Sequence, residues 1–175
     1  EGLPGDEGDD LARVQEAQAK FPALIDQFGA LDLHLVGQLQ SNKAEDAVAL
    51  FHTIHSVDRG SLITAIARAS DDLGKRPRCF VQVNIGDEPQ KGGCAIAALP
   101  ALLETARVAT LDVVGLMAVP PADTEAAPYF ALLAKLAHDH GLAALSMGMT
   151  SDFETAIMLG ATHLRVGSAL FGARG

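Results

Sequence analysis

Two segments near the end of the chain combine hydroxyl side chains and glycine in a way that suits anion binding. LSMGMTSD ends an apolar run at Thr150 and Ser151, and RVGS ends the next run at Gly167 and Ser168. Backbone amides and hydroxyls at a helix N-terminus bind phosphate because the helix dipole favours negative charge there. Glycine lets the backbone approach a ligand closely. Together these residues predict a phosphate site. The alternative interpretations take these residues singly. In them, Ser151 only forms a capping box with Glu154, and Gly167 only turns the chain.

Other polar residues lie at the ends of apolar runs. Arg165 alternates with apolar neighbours in HLRVG, so it faces a ligand or an ion pair inside the fold, and both interpretations stay open. Asn42, Asn84 and Lys91 follow other runs and are candidates to face a ligand. For Asn42, the alternative is that Ser41 or Asn42 caps the next helix. The Gly-rich loop carrying Lys91 is either a lid or a solvated turn.

The histidine and cysteine patterns argue against a metal site. His52 and His55 are three residues apart in a predicted strand, which places them on opposite faces, so they cannot share a zinc ion. Cys79 and Cys94 are isolated, and Cys79 sits in an apolar run that predicts a buried thiol.

Composition narrows the class of protein. The net charge is −9, and no cluster of Lys and Arg is present, which opposes a nucleic-acid partner. No apolar run approaches the ~18 residues that span a membrane, and nothing resembles a signal peptide. We therefore expect a cytoplasmic protein without membrane or nucleic-acid partners.

These residues are positioned by a regular alternation of short strands and helices. Strands are predicted at 31–37, 52–57, 79–85, 113–119, 143–147 and 163–167, and helices at 10–28, 43–50, 60–73, 95–109, 123–140 and 151–159. This alternation predicts an α/β fold with a parallel sheet. Polar residues such as His34 and Gln82 recur within the strands, which favours a β/α barrel of the TIM type over a doubly wound sheet.

The strand count falls short of a closed barrel. Six of the eight β/α units that such a barrel needs are evident. Residues 1–10 are acidic and glycine-rich and have no strand pattern. We therefore expect residues 1–175 to form one barrel domain that is incomplete at its N-terminus.

The order of six motifs resembles that of the pyridoxal phosphate homeostasis proteins: HLVGQLQSNK, HTIHSVDR, VQVNIGDEPQKGG, GLMAVPP, LSMGMTSDFETAI and LRVGSALFGAR. The resemblance runs from about Val14 to Arg174 and implies a barrel similar to the N-terminal domain of alanine racemases. It implies a protein that binds pyridoxal 5′-phosphate (PLP) as cargo, buffers or delivers it to PLP-dependent apo-enzymes, and catalyses no known reaction. A monomer or weak dimer is expected.

The resemblance also implies roles for single residues. Thr150, Ser151, Gly167 and Ser168 would hold the phosphate. The remaining candidates are Ser146 and Met147 beside the ring, Arg165 near the pyridine nitrogen, and Asn42, Asn84 and Lys91 lining the mouth.

One feature of the family is missing. Its members carry a Schiff-base lysine at the end of the first strand, and none of Lys20, Lys43, Lys75, Lys91 and Lys135 matches that position. Three explanations stay open. The sequence is an incomplete record of a longer protein, it is a natural truncation that binds the cofactor weakly through its phosphate alone, or it has lost binding and serves as an interaction module. A PLP-dependent racemase- or decarboxylase-like enzyme is the further alternative, and the missing lysine argues against it.

Overall fold

The computed structural model describes Asp26 and residues 31–167, and all six predicted strands lie in this part of the chain. They are β1 (His34–Leu35), β2 (Thr53–Val57), β3 (Arg78–Gln82), β4 (Asp112–Met117), β5 (Ala144–Met149) and β6 (His163–Arg165). The α-helices between them are α1 (Ala44–Leu50), α2 (Gly60–Leu73), α3 (Leu99–Val108), α4 (Ala127–Asp139) and α5 (Phe153–Met158). Short 3-10 turns at Ser41–Lys43 and Ile96–Ala98 precede α1 and α3.

The strands form one parallel sheet in the order β1-β2-β3-β4-β5-β6. Each strand pairs in parallel with the next strand of the chain. A doubly wound sheet reverses its strand order at a switch point, whereas a barrel adds each strand beside the last. The observed order confirms the predicted barrel type.

The sheet is strongly curled. Neighbouring strands are about 4.8 Å apart, so a flat sheet of this size would separate its outer strands by roughly 24 Å. The imidazole rings of His34 on β1 and His163 on β6 nevertheless have centroids 5.8 Å apart. Side chains on the concave face of the sheet therefore meet across a half-barrel.

The hydrophobic core lies between the convex face of the sheet and the helices. Ile63 and Ile66 of α2 and Leu133 of α4 are fully buried against strand residues such as Ile54 and Val81. Ala, Leu and Ile recur at helical spacing on these faces, which is why these segments form helices that cover the sheet. Within the described residues, no helix has the length and apolar character needed to cross a bilayer.

The outer strands are shorter than predicted. The expected strand 31–37 is reduced to His34–Leu35, and 163–167 is reduced to His163–Arg165. Within the described chain each has a single paired neighbour, so its ladder ends sooner than that of a central strand. Of the predicted helix 10–28, only Asp26 lies in the described part, and it is helical.

Candidate functional site

The centre of the concave face carries a hydrogen-bonded pair of predicted site residues. Ser146 is fully buried on β5, and Arg165 is the last residue of β6. The Arg165 guanidinium donates to Ser146 Oγ at 2.9 Å and to the backbone carbonyl of Ala118 at 2.8 Å. These bonds span β6, β5 and the end of β4, and they fix the guanidinium at the C-terminal side of the sheet.

Arg165 is a cation without an ion pair among the described residues. Burial lowers the pKa of Arg165 to about 10, and the negative charge of Asp152 opposes that shift. The side chain thus stays charged at neutral pH although its bonds here go to a neutral hydroxyl and a carbonyl. The alternative of an ion pair inside the barrel is not observed in this part of the chain. A desolvated charge of this kind suits a polar or anionic ligand.

An open space of about 600 Å³ adjoins this pair, and we call it the inner cavity. It is lined by His34, Val36, His55, His163, Leu164, Arg165, Val166 and Gly167. Among the described residues, a Cβ atom at Gly167 would meet no atom within 4 Å beyond its chain neighbours, so these residues leave the space beside this glycine open. Ser168, the next predicted phosphate residue, lies outside the described residues.

The exit of β5 carries the other predicted phosphate residues. Thr150 is half-buried and Ser151 is exposed. The predicted capping box is wrong, because α5 begins at Phe153 with Asp152 at the N-cap position and no side-chain cap bond. Asp152 instead turns back, its carboxylate accepting the Met149 N–H at 2.6 Å. Ser151 is therefore not used as a helix cap.

Met147 has a different environment from Ser146. Successive residues of a strand point to opposite faces, and the Met147 side chain is fully buried in the core on the helix side. The structure thus does not bring the Met147 side chain together with Ser146 and Arg165.

Lys91 lies at the same edge of the sheet, in a cleft of about 590 Å³ that we call the edge cleft. Ser151, Asp152 and the segment 119–127 also line it. The Lys91 ammonium donates to the Pro120 carbonyl at 2.8 Å and forms an ion pair with Glu88 at 2.7 Å. The Gly93 N–H donates to the carboxylate of Asp58 at 3.2 Å. The loop carrying Lys91 is thus held to two neighbouring strand exits.

Asn84 and Asn42 occupy other loops at this edge. The Asn84 side chain bonds both backbone groups of Glu88, at 2.8 and 3.0 Å, and so closes its own loop. Asn42 is exposed in the turn Ser41–Lys43, and no side chain caps that turn or α1. The capping alternative for Asn42 is therefore not observed.

Sequence reasoning missed His55 as part of this site. It is 2% exposed, and its ring stacks on Phe80 with centroids 4.4 Å apart. Its Nδ1 lies 2.8 Å from Ser146 Oγ and its Nε2 lies 2.9 Å from His34 Nδ1. Burial and the positive charges around it lower the pKa of His55 from 6.5 to about 3, so the ring is neutral at physiological pH. The usable signal was a histidine in the middle of the predicted strand 52–57, next to Ile54.

Comparison with known proteins identifies relatives of the whole described fold. Residues 11–175 match the family described as alanine racemase, N-terminal domain. A pyridoxal phosphate homeostasis protein of Pseudomonas aeruginosa is 40% identical over 168 residues, covering 92% of this chain and 72% of the relative. One of Aquifex aeolicus is 37% identical, covering 93% of this chain and 75% of the relative.

Solved structures give the same result. PipY of Synechococcus elongatus, in a structure with PLP bound, is 39% identical and superposes with a TM-score of 0.79. The match covers 91% of this chain and 79% of PipY. From these matches, the chain belongs to the alanine racemase N-terminal domain family and, within it, to the pyridoxal phosphate homeostasis proteins.

Proposed function

We propose that this protein binds PLP at the C-terminal edge of its sheet and takes part in intracellular PLP homeostasis by buffering and delivering the cofactor. The names of its relatives and the PLP-bound structure of PipY support this function. Its expected place of action is the cytoplasm, and its expected recipients are PLP-dependent apo-enzymes.

The observation that carries the proposal is the isolated guanidinium of Arg165. Its bonds to Ser146 and the Ala118 carbonyl hold it in place without neutralising it. A pyridine nitrogen is a hydrogen-bond acceptor, and a guanidinium only donates. Arg165 would therefore hold the ring nitrogen in its unprotonated form, with Ser146 as the neighbouring polar group.

The phosphate end of the cofactor would lie at the exit of β5. Thr150 and Ser151 offer hydroxyls, and Ser151 is not used as a helix cap. The open space beside Gly167 admits a ligand close to the backbone of β6. Asp152 would sit near this end, so the phosphate needs donors from more than one loop to offset that negative charge.

The described lysines do not provide an anchor for the cofactor's aldehyde. Lys43 pairs with Asp46, and Lys135 pairs with Asp139. Lys75 donates to the Ala49 carbonyl near the N-terminal end of β2, and Lys91 is held by Glu88 and Pro120. The residues present thus fit the ring and the phosphate of PLP, and among the described lysines none lies with Ser146 and Arg165.

We propose no catalytic turnover for this site. PLP supplies an electron sink for bonds at the α-carbon of amino acids, and using it requires a base placed beside the substrate. His55 is 2% exposed, is hydrogen-bonded to Ser146 and is neutral because of its surroundings, which suits a structural imidazole. Incubation of the PLP-loaded protein with amino-acid enantiomers should leave their optical rotation and carboxyl groups unchanged, and measurable racemisation or decarboxylation would contradict this.

The test is a PLP titration of the full chain, followed by borohydride reduction and intact-mass analysis. We expect saturable binding, and peptide mapping of any reduced adduct identifies the lysine engaged. Replacing either Thr150 or Ser151 by Ala should weaken PLP binding at least about tenfold, because a hydrogen bond to a charged group contributes about 1.5–3 kcal/mol.

Thr105→Ala is the matched control for the threonine. The Thr105 hydroxyl is exposed on α3 and donates to the Ala101 carbonyl of its own helix. This variant should bind PLP like the wild type. Unchanged affinity in the Thr150 and Ser151 variants would contradict the phosphate assignment.

A further inference from the structure

A chain of hydrogen bonds crosses the concave face of the sheet and ends at Arg165. It runs from His34 Nδ1 to His55 Nε2 at 2.9 Å, and from His55 Nδ1 to Ser146 Oγ at 2.8 Å. Arg165 Nη1 then lies 2.9 Å from the same Ser146 oxygen. The chain joins β1, β2, β5 and β6, which are brought together by the curl of the sheet.

The chemistry of the donors sets the direction of this chain. A guanidinium can only donate, so the Ser146 oxygen accepts from Arg165. With the His55 proton on Nε2, the Ser146 hydroxyl donates to His55 Nδ1, and His55 Nε2–H donates to His34 Nδ1. This tautomer gives every donor one acceptor, and it requires His55 to be neutral.

Packing holds the His55 ring in place. It is 2% exposed and lies parallel to the Phe80 ring, with an angle of 8° between the planes. The groups facing it are His34 on β1, Phe80 and Arg78 on β3, Ser146 on β5, and His163 and Arg165 on β6. None of these is a carboxylate, so a protonated His55 would have no counter-charge among them.

We propose that His55 is a positioning residue for the ring end of the ligand site: by holding the Ser146 hydroxyl, it fixes the orientation in which Arg165 meets a pyridine-type ring nitrogen. This inference rests on the proposed function, since it assigns a ring to the Arg165 end of the site. His55 acts on Arg165 through Ser146, whose hydroxyl bonds both side chains.

The test compares two amide substitutions that keep opposite ends of the imidazole. His55→Asn places its amide where Nδ1 lies and keeps the bond to Ser146. His55→Gln places its amide where Nε2 lies and keeps the bond to His34. The probes are 4′-deoxypyridoxine 5′-phosphate, which has the ring and phosphate of PLP without its aldehyde, and inorganic phosphate, which reports the phosphate end alone.

We expect His55→Gln to weaken 4′-deoxypyridoxine 5′-phosphate binding about tenfold, the effect of one lost hydrogen bond to a charged group, and His55→Asn to stay within about twofold of wild type. Both variants should bind inorganic phosphate like the wild type. In a double-mutant cycle, His55→Gln should add no further loss of affinity to Ser146→Ala, because both substitutions act on Arg165 through the Ser146 hydroxyl.

Three results would overturn the positioning role. The first is that His55→Gln binds 4′-deoxypyridoxine 5′-phosphate with wild-type affinity. The second is that the Asn and Gln variants lose equal affinity, and the third is that the loss in His55→Gln multiplies with the loss in Ser146→Ala. In each case PLP binding by the wild type leaves the proposed function standing. If the wild type binds neither PLP nor its deoxy analogue, the proposed function fails and the positioning role fails with it.

If His55→Gln does not fold, the Ser146→Ala and His55→Asn variants decide: a ring-specific loss in the first and none in the second support the role, and any other pattern rejects it.

Discussion

The neutral, buried His55 makes the stability of this protein depend on pH. Burial, with His34, His163, Arg165 and Arg78 nearby, lowers the pKa of His55 to about 3 in the folded state. In the unfolded chain the imidazole titrates near its ordinary value of 6.5. Between these two values the unfolded state binds one more proton than the folded state. Stability therefore rises with pH across this window and is lost as the pH falls below about 6.5.

The size of the effect follows from one proton. Each pH unit within the window contributes about 1.4 kcal/mol per proton. Of the two units from about pH 7.5 to 5.5, only the one below 6.5 counts fully, so this change should lower the free energy of unfolding by about 1.4 kcal/mol. The size of this change depends only on the pKa of His55 in the folded state lying well below 5.5. Burial also lowers the pKa of His163, which acts in the same direction. Carboxylates with ordinary pKa values are ionised throughout this range.

The measurement is urea unfolding at constant ionic strength from pH 5.5 to 7.5, for the wild type and for His55→Asn. The variant cannot titrate at this position, so its free energy of unfolding should change over this pH range by about 1.4 kcal/mol less than that of the wild type. Phe130→Leu, a fully buried core change on α4, is the control for general destabilisation and should keep the wild-type slope. Equal slopes for the wild type and His55→Asn would refute the account of a neutral, buried imidazole.

Two further predictions concern the sheet and the thiols. Gly115→Ala should lower the free energy of unfolding by at least ~2 kcal/mol, because a Cβ on β4 would collide with the Ala144 carbonyl of β5. Gly60→Ala, with no other atom within 4 Å of the added Cβ, should change it by less than about 0.5 kcal/mol in the same denaturation assay. Burial raises the pKa of Cys79 to about 12 and, with Asp58, that of Cys94 to about 11. Neither thiol should react with iodoacetamide at pH 8 in the native protein and both should react in urea, and rapid native labelling by mass spectrometry would contradict their burial.

The order of elements was predictable because each strand and helix has its own periodicity. The segment 60–73 has apolar residues at helical spacing and matches α2 residue for residue. Ends that depend on neighbours were less accurate. The first strand was expected at 31–37, yet only His34–Leu35 pairs with β2. The start of α5 was wrong because Asp152 bonds the backbone of Met149, a local choice that competes with capping by Ser151.

The site was partly predictable for a related reason. Alternation along β6 indicated that Arg165 faces away from its apolar neighbours. The end of the apolar run in LSMGMTSD indicated that the hydroxyls of Thr150 and Ser151 lie at a strand exit. Periodicity gives the face of each residue but not its partner across the sheet. The curl that places β1 beside β6 lets His34, His55 and Ser146 form one chain, and these residues are far apart in sequence. The position of His55 within the predicted strand 52–57 indicated that it lies in the sheet, but neither that position nor its spacing from His52 indicated which side chains it bonds.

The same curl explains why Ser146 and His55 are tolerated inside the half-barrel. A buried hydroxyl or imidazole costs about 1–3 kcal/mol when it has no partner. Ser146 and His55 each bond two neighbours on other strands, so the cost of burying them is offset within the sheet itself. Arg165 differs, because its positive charge is held but not neutralised by the described residues. Its position is therefore determined by the fold, while its charge remains available to a ligand, and that combination makes Arg165 the residue whose loss should affect ligand binding more than stability.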